Sequence, residues 1–249
     1  MNNFDLYSKY YDLLYKDKNY NDEVGYILGL INQFSNKSQS IIELGCGSGN
    51  HAEFFQNHNY EITGIEQSQH LIKIATDKNI KNFSIVKGDI TNFNLNREFD
   101  IALSLFHVIS YLTSNQLVYD CFINTHKHLK KGGLFIFDIW HTPAVYTLKP
   151  SVKVKRIENS EIEITRIAEP EINTIDNIVN VNFDLFIKNK FSKNIDHINE
   201  MHPMRHFSIQ EIRLFAKITG FEIIHIEEFL TKKTPNTNTW GVCYVLKKI

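Results

Sequence analysis

Cysteine is scarce in this chain: three residues in 249, Cys46, Cys121 and Cys243, far apart and odd in number. That argues against a disulfide framework and gives no paired metal-ligand spacing, so they read as reduced thiols of a cytoplasmic protein, with no metal expected. No stretch approaches the roughly 18 consecutive apolar residues of a membrane span, so no membrane is expected as a partner. The opening Met1-Asn2-Asn3-Phe4-Asp5 has neither a basic region nor an apolar core and does not read as a signal peptide. Lys and Arg form no run long enough for an electrostatic track, and the formal net charge is -1. A nucleic-acid partner, which demands a basic face, is therefore disfavoured. Internal repeats, low-complexity linkers and a detached domain are also missing. The rest is ordinary for a globular protein: 43% hydrophobic and 22% charged, enough for one core with an elaboration.

Residues 4 to 33 read as helical, with apolar and aromatic positions at helical spacing from Tyr7 to Tyr15 and from Val24 to Ile31. Strand-helix alternation from Ser40 to Trp140 predicts a parallel sheet with covering helices. After Pro150 the pattern turns to period two, as in Val179-Asn180-Val181-Asn182-Phe183-Asp184-Leu185-Phe186. Half-buried antiparallel strands are expected there, from about Ser151 to Glu200. A helix follows from Ser208 to Thr219, with Ser208 as N-cap, Glu211 completing a capping box and Gly220 as its stop. Phe221–Ile226 and Trp240–Leu246 read as the last two strands.

The chemistry gathers in Ile41-Ile42-Glu43-Leu44-Gly45-Cys46-Gly47-Ser48-Gly49-Asn50. An apolar strand ends in an acidic residue, breaks into alternating glycines and continues as a helix. Gly45 and Gly47 permit a sharp turn and leave no Cβ between the strand end and a ligand. The dinucleotide fingerprint G-x-G-x-x-G would need glycine where Asn50 stands. A second strand, Tyr60 to Ile65, ends in Glu66, a carboxylate about 20 residues past the glycines, where a ribose diol is held. The loop reads as the site of an adenosine-containing ligand.

These segments resemble motifs I and II of the class I S-adenosylmethionine (SAM) dependent methyltransferases. Gly88-Asp89-Ile90, Phe99 to Phe106, and Leu129-Lys130-Lys131-Gly132-Gly133 before the strand Leu134 to Asp138 fit the same family in order and spacing. The resemblance implies an α/β fold: a Rossmann-like seven-stranded sheet with an inserted antiparallel β segment. One domain is expected over 1–249, with a SAM-binding core at about 34–150 and 201–249. The N-terminal helical lid is placed at 1–33 and the insertion at about 151–200. It further implies that Glu43, Gly45, Cys46 and Gly47 form the methionine-side floor and Glu66 the ribose clamp. Gln67, Asp89 and Ile90 would border the adenine, and Leu105 and Tyr20 would complete the SAM site. Gly88-Asp89 also reads as a plain turn.

Tyr10-Tyr11-Asp12 to Tyr20 and Glu200 to Ser208 are similar to segments of methyltransferases acting on nucleotide-linked amino sugars. Asp17 and Asn19 depart from that group, which has glycine and aspartate at those places. Methyl transfer from SAM needs a nucleophile aligned and water excluded, and an amine must arrive unprotonated. His107 and Tyr111, just past the fourth strand, and Tyr11 on the lid are the expected catalytic residues. Trp140, His141 and Arg205 are the expected substrate contacts. For Arg205 the alternative is a surface pair with Glu200 or Glu211; for the tyrosines it is an aromatic helix face packed on the sheet. The expected partner is a small-molecule acceptor, foremost the amine of a nucleotide-linked sugar, with S-adenosylhomocysteine (SAH) as product. The alternative is an O-methyltransferase on a sugar or phosphate-type oxygen, and a homo-oligomer is left open. An NAD-dependent oxidoreductase and a SAM-binding module without catalysis are the rivals from other classes.

Overall fold

The computed structural model describes residues 7–35 and 38–249. The start of the expected first helix, at residue 4, lies outside them, as does the Met1–Asp5 stretch. In chain order the elements are α1 (Tyr11–Leu14), α2 (Tyr20–Phe34), β1 (Ser40–Leu44), α3 (Asn50–Phe55), β2 (Glu61–Glu66), α4 (Gln69–Asp77), β3 (Phe83–Lys87) and β4 (Phe99–Ser104). They continue with α5 (Asn115–Lys127), β5 (Leu129–Trp140), α6 (Thr142–Leu148), β6 (Lys153–Glu158), β7 (Ile162–Asn173), β8 (Ile178–Asn189) and β9 (Ile195–Arg205). The chain closes through α7 (Ile209–Ile218), β10 (Phe221–Glu228) and β11 (Gly241–Lys248).

Seven strands form one sheet in the order β10-β11-β5-β4-β1-β2-β3, with β11 antiparallel to both neighbours. Its strands are apolar on both faces because both are covered. Ile42 and Leu44 point into a core built with Val118 and Phe122 of α5 and Phe215 of α7. Ile41 points the other way, into a core with Ile27 and Ile31 of α2 and Phe55 of α3. The chain winds outward from β1 in both directions, through β2 and β3 on one side and β4 and β5 on the other. A crevice opens outside the carboxyl ends of strands at such a switch point, and ligands bind there.

The period-two segment forms a second, four-stranded antiparallel sheet in the order β6-β7-β8-β9. One face packs Ile164, Leu185 and Ile198 against Tyr7 and Leu14 of the N-terminal segment. Its other end packs Val179 and Met204 near Trp140 and Trp240 at the rim of the main sheet. The roof therefore sits over the switch point.

Three expected boundaries are corrected. The N-terminal helix is broken: a 3-10 turn at Tyr7–Tyr10 leads into α1, and α2 starts afresh at Tyr20, capped by Asn19, whose side chain accepts from Asp22 N. The lid extends past residue 33 only as the end of α2. The antiparallel segment runs to Arg205 instead of ending near residue 200, because Pro203 lies on the edge strand, where a missing N–H costs no ladder bond. Finally, β5 starts at Leu129, not Leu134: Gly132, at φ +77, carries the kink where the pairing slips between Phe99 and Ile101.

Candidate active site

Three backbone N–H groups converge on one carboxylate at the end of β2. Glu66 accepts from Gly47 N at 3.0 Å and from Gln67 N and Ser68 N, each at 2.9 Å. Burial pushes its carboxyl up, against the backbone donors that stabilise the charge. The glycine loop is thus tied to β2 before any ligand arrives. A Cβ built on Gly47 would meet no protein atom within 4 Å, whereas one on Gly45 would come within 2.6 Å of Val108 Cγ1. Gly47 borders open cavity, and Gly45 is needed for close packing.

That cavity, of about 860 Å³, runs from the glycine loop along the strand ends to the inner face of the second sheet. Cys46, Gln67, Asp89, Ile90, Leu105 and Tyr20 all lie on its wall. Burial keeps the Cys46 thiol protonated, so it acts as wall and not as a nucleophile. Asp89 is partly engaged already, since Thr91 N and Thr91 Oγ1 donate to its Oδ1 at 2.8 and 2.7 Å.

Glu43 is not on the wall. It lies 2% exposed behind His51, whose Nδ1 approaches its Oε1 at 3.4 Å. His51 Nε2 reaches Glu23 of α2 at 2.8 Å, and Lys18 pairs with the same carboxylate. Glu43 therefore anchors the lid through His51, because a carboxylate at a strand end this deep must be paired. The lid is also clasped to the glycine loop: Asp12 accepts from Ser48 Oγ and from Asn50 Nδ2, and Lys78 lies 3.2 Å away. The resemblance drew attention to the N-terminal segment with its Tyr10-Tyr11-Asp12 start, but Glu23 and His51 were not singled out by their sequence.

His107 leaves β4 on two consecutive left-handed residues, Phe106 at φ 64 and His107 at φ 62. This turn sets the imidazole against Asp138, a buried acid within the apolar β5: Nδ1 lies 2.6 Å from Oδ2, and His107 N donates to Oδ1 at 3.3 Å. Burial raises the Asp138 carboxyl, but the adjoining His107 outweighs it and holds the group below the ordinary carboxylate range. With a carboxylate against Nδ1, a neutral imidazole places its hydrogen on that nitrogen and leaves Nε2 as the acceptor. Asp138 was not singled out, although an acid inside Phe135-Ile136-Phe137-Asp138-Ile139 is the kind of interruption that marked Glu43.

Tyr11 and Tyr111 share the cavity wall with His107. Burial raises both phenols well above their ordinary range, so both are neutral hydroxyls. Trp140 lines the same region, its ring 6.0 Å from His107. Across from them, Arg166 of β7 donates to Tyr7 Oη at 3.0 Å and Tyr15 Oη at 3.3 Å. No sequence pattern had marked Arg166, since it alternates into the cavity like any inward strand residue.

Two expected substrate contacts are corrected. His141 is buried beneath the β10–β11 connection, its Nδ1 3.3 Å from Thr239 O, and it does not reach the cavity wall. Arg205 is 7% exposed, donates to Asn115 Oδ1 at 2.8 Å and Glu211 Oε1 at 3.1 Å, and lies over the Phe207 ring. Its guanidinium ties β9 to α5 and α7. Neither residue is on the cavity wall.

Residues 41–133 match the methyltransferase domain family. A dTDP-3-amino-3,4,6-trideoxy-alpha-D-glucopyranose N,N-dimethyltransferase of Streptomyces venezuelae is 27% identical over 55% of this chain. The chain matches 58% of that relative's length. A SAM-dependent methyltransferase from Clostridium acetobutylicum superimposes with a TM-score of 0.83 at 20% identity, over 96% of each chain. A sugar N-methyltransferase from Streptoalloteichus sp. does so with a TM-score of 0.83 at 17% identity, over 98% of this chain and 93% of that one. Residues 41–133 thus match a methyltransferase domain, and the chain shares the Rossmann-like fold of the solved SAM-dependent methyltransferase.

Proposed function

We propose that this protein transfers a methyl group from SAM to a small polar acceptor, most specifically the amine of a nucleotide-linked sugar. One observation carries the reading: a continuous cavity joins the glycine loop and the Glu66 cradle to a His107–Asp138 pair and then to an inserted sheet. Gly47 and Glu66 fit the adenosyl part of SAM, the glycine by leaving its wall open and the carboxylate by its place at the end of β2. Bound SAM supplies a methyl group on a sulfonium, which is already activated for transfer.

The chain's own task is then to place the nucleophile and take its proton. His107 offers Nε2 as the acceptor because Asp138 holds Nδ1. Tyr11 and Tyr111 orient the nucleophile as neutral hydroxyls. The lid excludes water through the Asp12 clasp and the Lys18–Glu23–His51 bridge. The second sheet supplies the acceptor half of the cavity through Arg166, Phe183 and His202. The relatives named for amino-sugar dimethylation support the acceptor class. A second reading, methylation at a sugar oxygen, has support in the same histidine–carboxylate pair, which suits removal of a hydroxyl proton.

The test incubates the protein with SAM and a panel of nucleotide-linked amino sugars and their hydroxy counterparts. SAH release with one or two methyl groups gained by an amino sugar is expected. Transfer to the hydroxy sugars alone would replace this reading with the second. Tight SAH binding without transfer to either set would sink both.

A further inference from the structure

Besides the His51 bridge, two histidine–carboxylate pairs meet the cavity, and one of them belongs to the inserted sheet. Glu200 and His202 alternate by two along β9 and so share a face, while Met201 between them points outward. His202 is 2% exposed. Its Nε2 lies 3.2 Å from Glu200 Oε2, and its Nδ1 lies 3.2 Å from the Tyr111 hydroxyl. The other Glu200 oxygen, Oε1, accepts from Tyr7 N at 3.0 Å. The rings of Phe183 and Tyr7, centred 4.9 and 5.2 Å away, hold the imidazole in place. Tyr111 ends the 3-10 turn Val108–Tyr111 that follows His107, so both pairs act on one four-residue turn.

The direction of this chain of bonds follows from what each atom can do. An ionised carboxylate only accepts, so His202 Nε2 must carry the hydrogen that lies against Glu200. In a neutral imidazole Nδ1 is then an acceptor, and Tyr111 must donate to it. Burial lowers the His202 pKa despite the pull of Glu200, which keeps the ring neutral at neutral pH. A phenol that has spent its single hydrogen can only accept from any further partner.

We propose that Glu200 and His202 fix the polarity of the Tyr111 hydroxyl, so that it accepts a hydrogen bond from the N–H or O–H group to be methylated. The inference rests on the methyl-transfer reading. It assigns Glu200 and His202 as positioning residues that act through Tyr111, and it adds a selection rule: the acceptor must present a donor hydrogen at the reacting atom. A tertiary amine or an ether is excluded at that point, since neither can donate to Tyr111.

Glu200→Gln is the sharp test because it keeps size and shape. Tyr7 N–H still demands the amide oxygen, so the amide NH₂ faces His202 and donates to Nε2. Nδ1 must then carry the hydrogen, and Tyr111 is turned into its acceptor. Nitrogen-15 spectra of the imidazoles, with His202 assigned by loss of its signal in His202→Gln, should show the neutral Nε2–H form in the wild type and the Nδ1–H form in Glu200→Gln. On an acceptor that the wild type turns over, Glu200→Gln should lower kcat about tenfold, the effect of one misdirected hydrogen bond, with SAH affinity unchanged. In a Tyr111→Phe background the same substitution should add almost nothing. An Nδ1–H wild type, an unchanged tautomer in Glu200→Gln, or the same tenfold loss with Tyr111 already removed would overturn the inference. The wild-type tautomer needs no acceptor, so an inactive wild type counts against the proposed function alone.

Discussion

Adding a single methyl group at residue 47 separates the cost of the glycine loop's backbone from the cost of filling its cavity. Gly47 has φ +57, a conformation that charges an alanine roughly 1–2 kcal/mol, yet its Cβ would touch nothing within 4 Å. For a chain of this length about 1 kcal/mol moves Tm by roughly 2–4 °C, so Gly47→Ala should fold and melt about 2–8 °C lower. The added carbon stands in the space that the ligand must approach. Overpacking there costs about 1–3 kcal/mol, which is about 5–150-fold in SAH affinity by calorimetry. Gly132 is the control: it has φ +77 and open surroundings, with only Lys247 Cε at 3.7 Å, and it lies outside the cavity. Gly132→Ala should show a similar fall in Tm with unchanged SAH affinity. Gly45→Ala should be the least stable of the three, because its Cβ meets Val108 Cγ1 at 2.6 Å. Wild-type SAH affinity in Gly47→Ala, or an equal loss of affinity in Gly132→Ala, would refute the reasoning.

Glu66→Ala should weaken SAM or SAH binding by roughly 1–3 kcal/mol, since it strips the acceptor from Gly47, Gln67 and Ser68 N–H and from the ribose; unchanged affinity in the folded variant would remove Glu66 from the site. Arg205→Ala should lower Tm through its lost bonds to Asn115 and Glu211 while sparing the KM for the acceptor, and a KM effect without a stability effect would restore it as a substrate contact. Asp138 has a folded pKa below its unfolded one, so its contribution to stability is present above an ordinary carboxylate pKa of about 4 and fades as pH falls through the folded value. Tm measured against pH should therefore fall less steeply on the acid side in Asp138→Asn than in the wild type, and parallel curves would contradict the pairing with His107.

The glycine loop and Glu66 were legible because they are local: a strand end, a turn and the next strand end fix their relation within some twenty residues. The position of His107 was legible for a related reason, as strand ends point ligand-ward in an open parallel sheet. Its partner was not, because Asp138 is brought beside it only by the register of β4 against β5, in which Ser104 pairs with Phe137. Arg205 shows the reverse failure. It stands in a segment similar to one that lines the substrate end in other enzymes, yet on β9 its side chain turns toward α5 and α7. The antiparallel segment was expected to end near Glu200, and Pro203 on the edge strand lies beyond that bound. Leu129-Lys130-Lys131-Gly132-Gly133 was likewise set before the strand, when Gly132 is the kink inside it.

Phe106 and His107 hold left-handed backbone without being glycine, and this sets a limit on improving the protein for heat tolerance. Each position would relax if replaced by glycine, which adopts that backbone freely, so a selection for survival at high temperature alone would favour the exchange. At 107 it would discard the imidazole outright. At 106 it would leave the imidazole on a looser hinge and take away an aromatic ring that packs 5.1 Å from Tyr15 and lies 4.6 Å from the Lys18 ammonium. On the role proposed for His107, hardiness and activity are opposed at this corner, and a thermostable descendant should be sought in the surface of the second sheet before it is sought here.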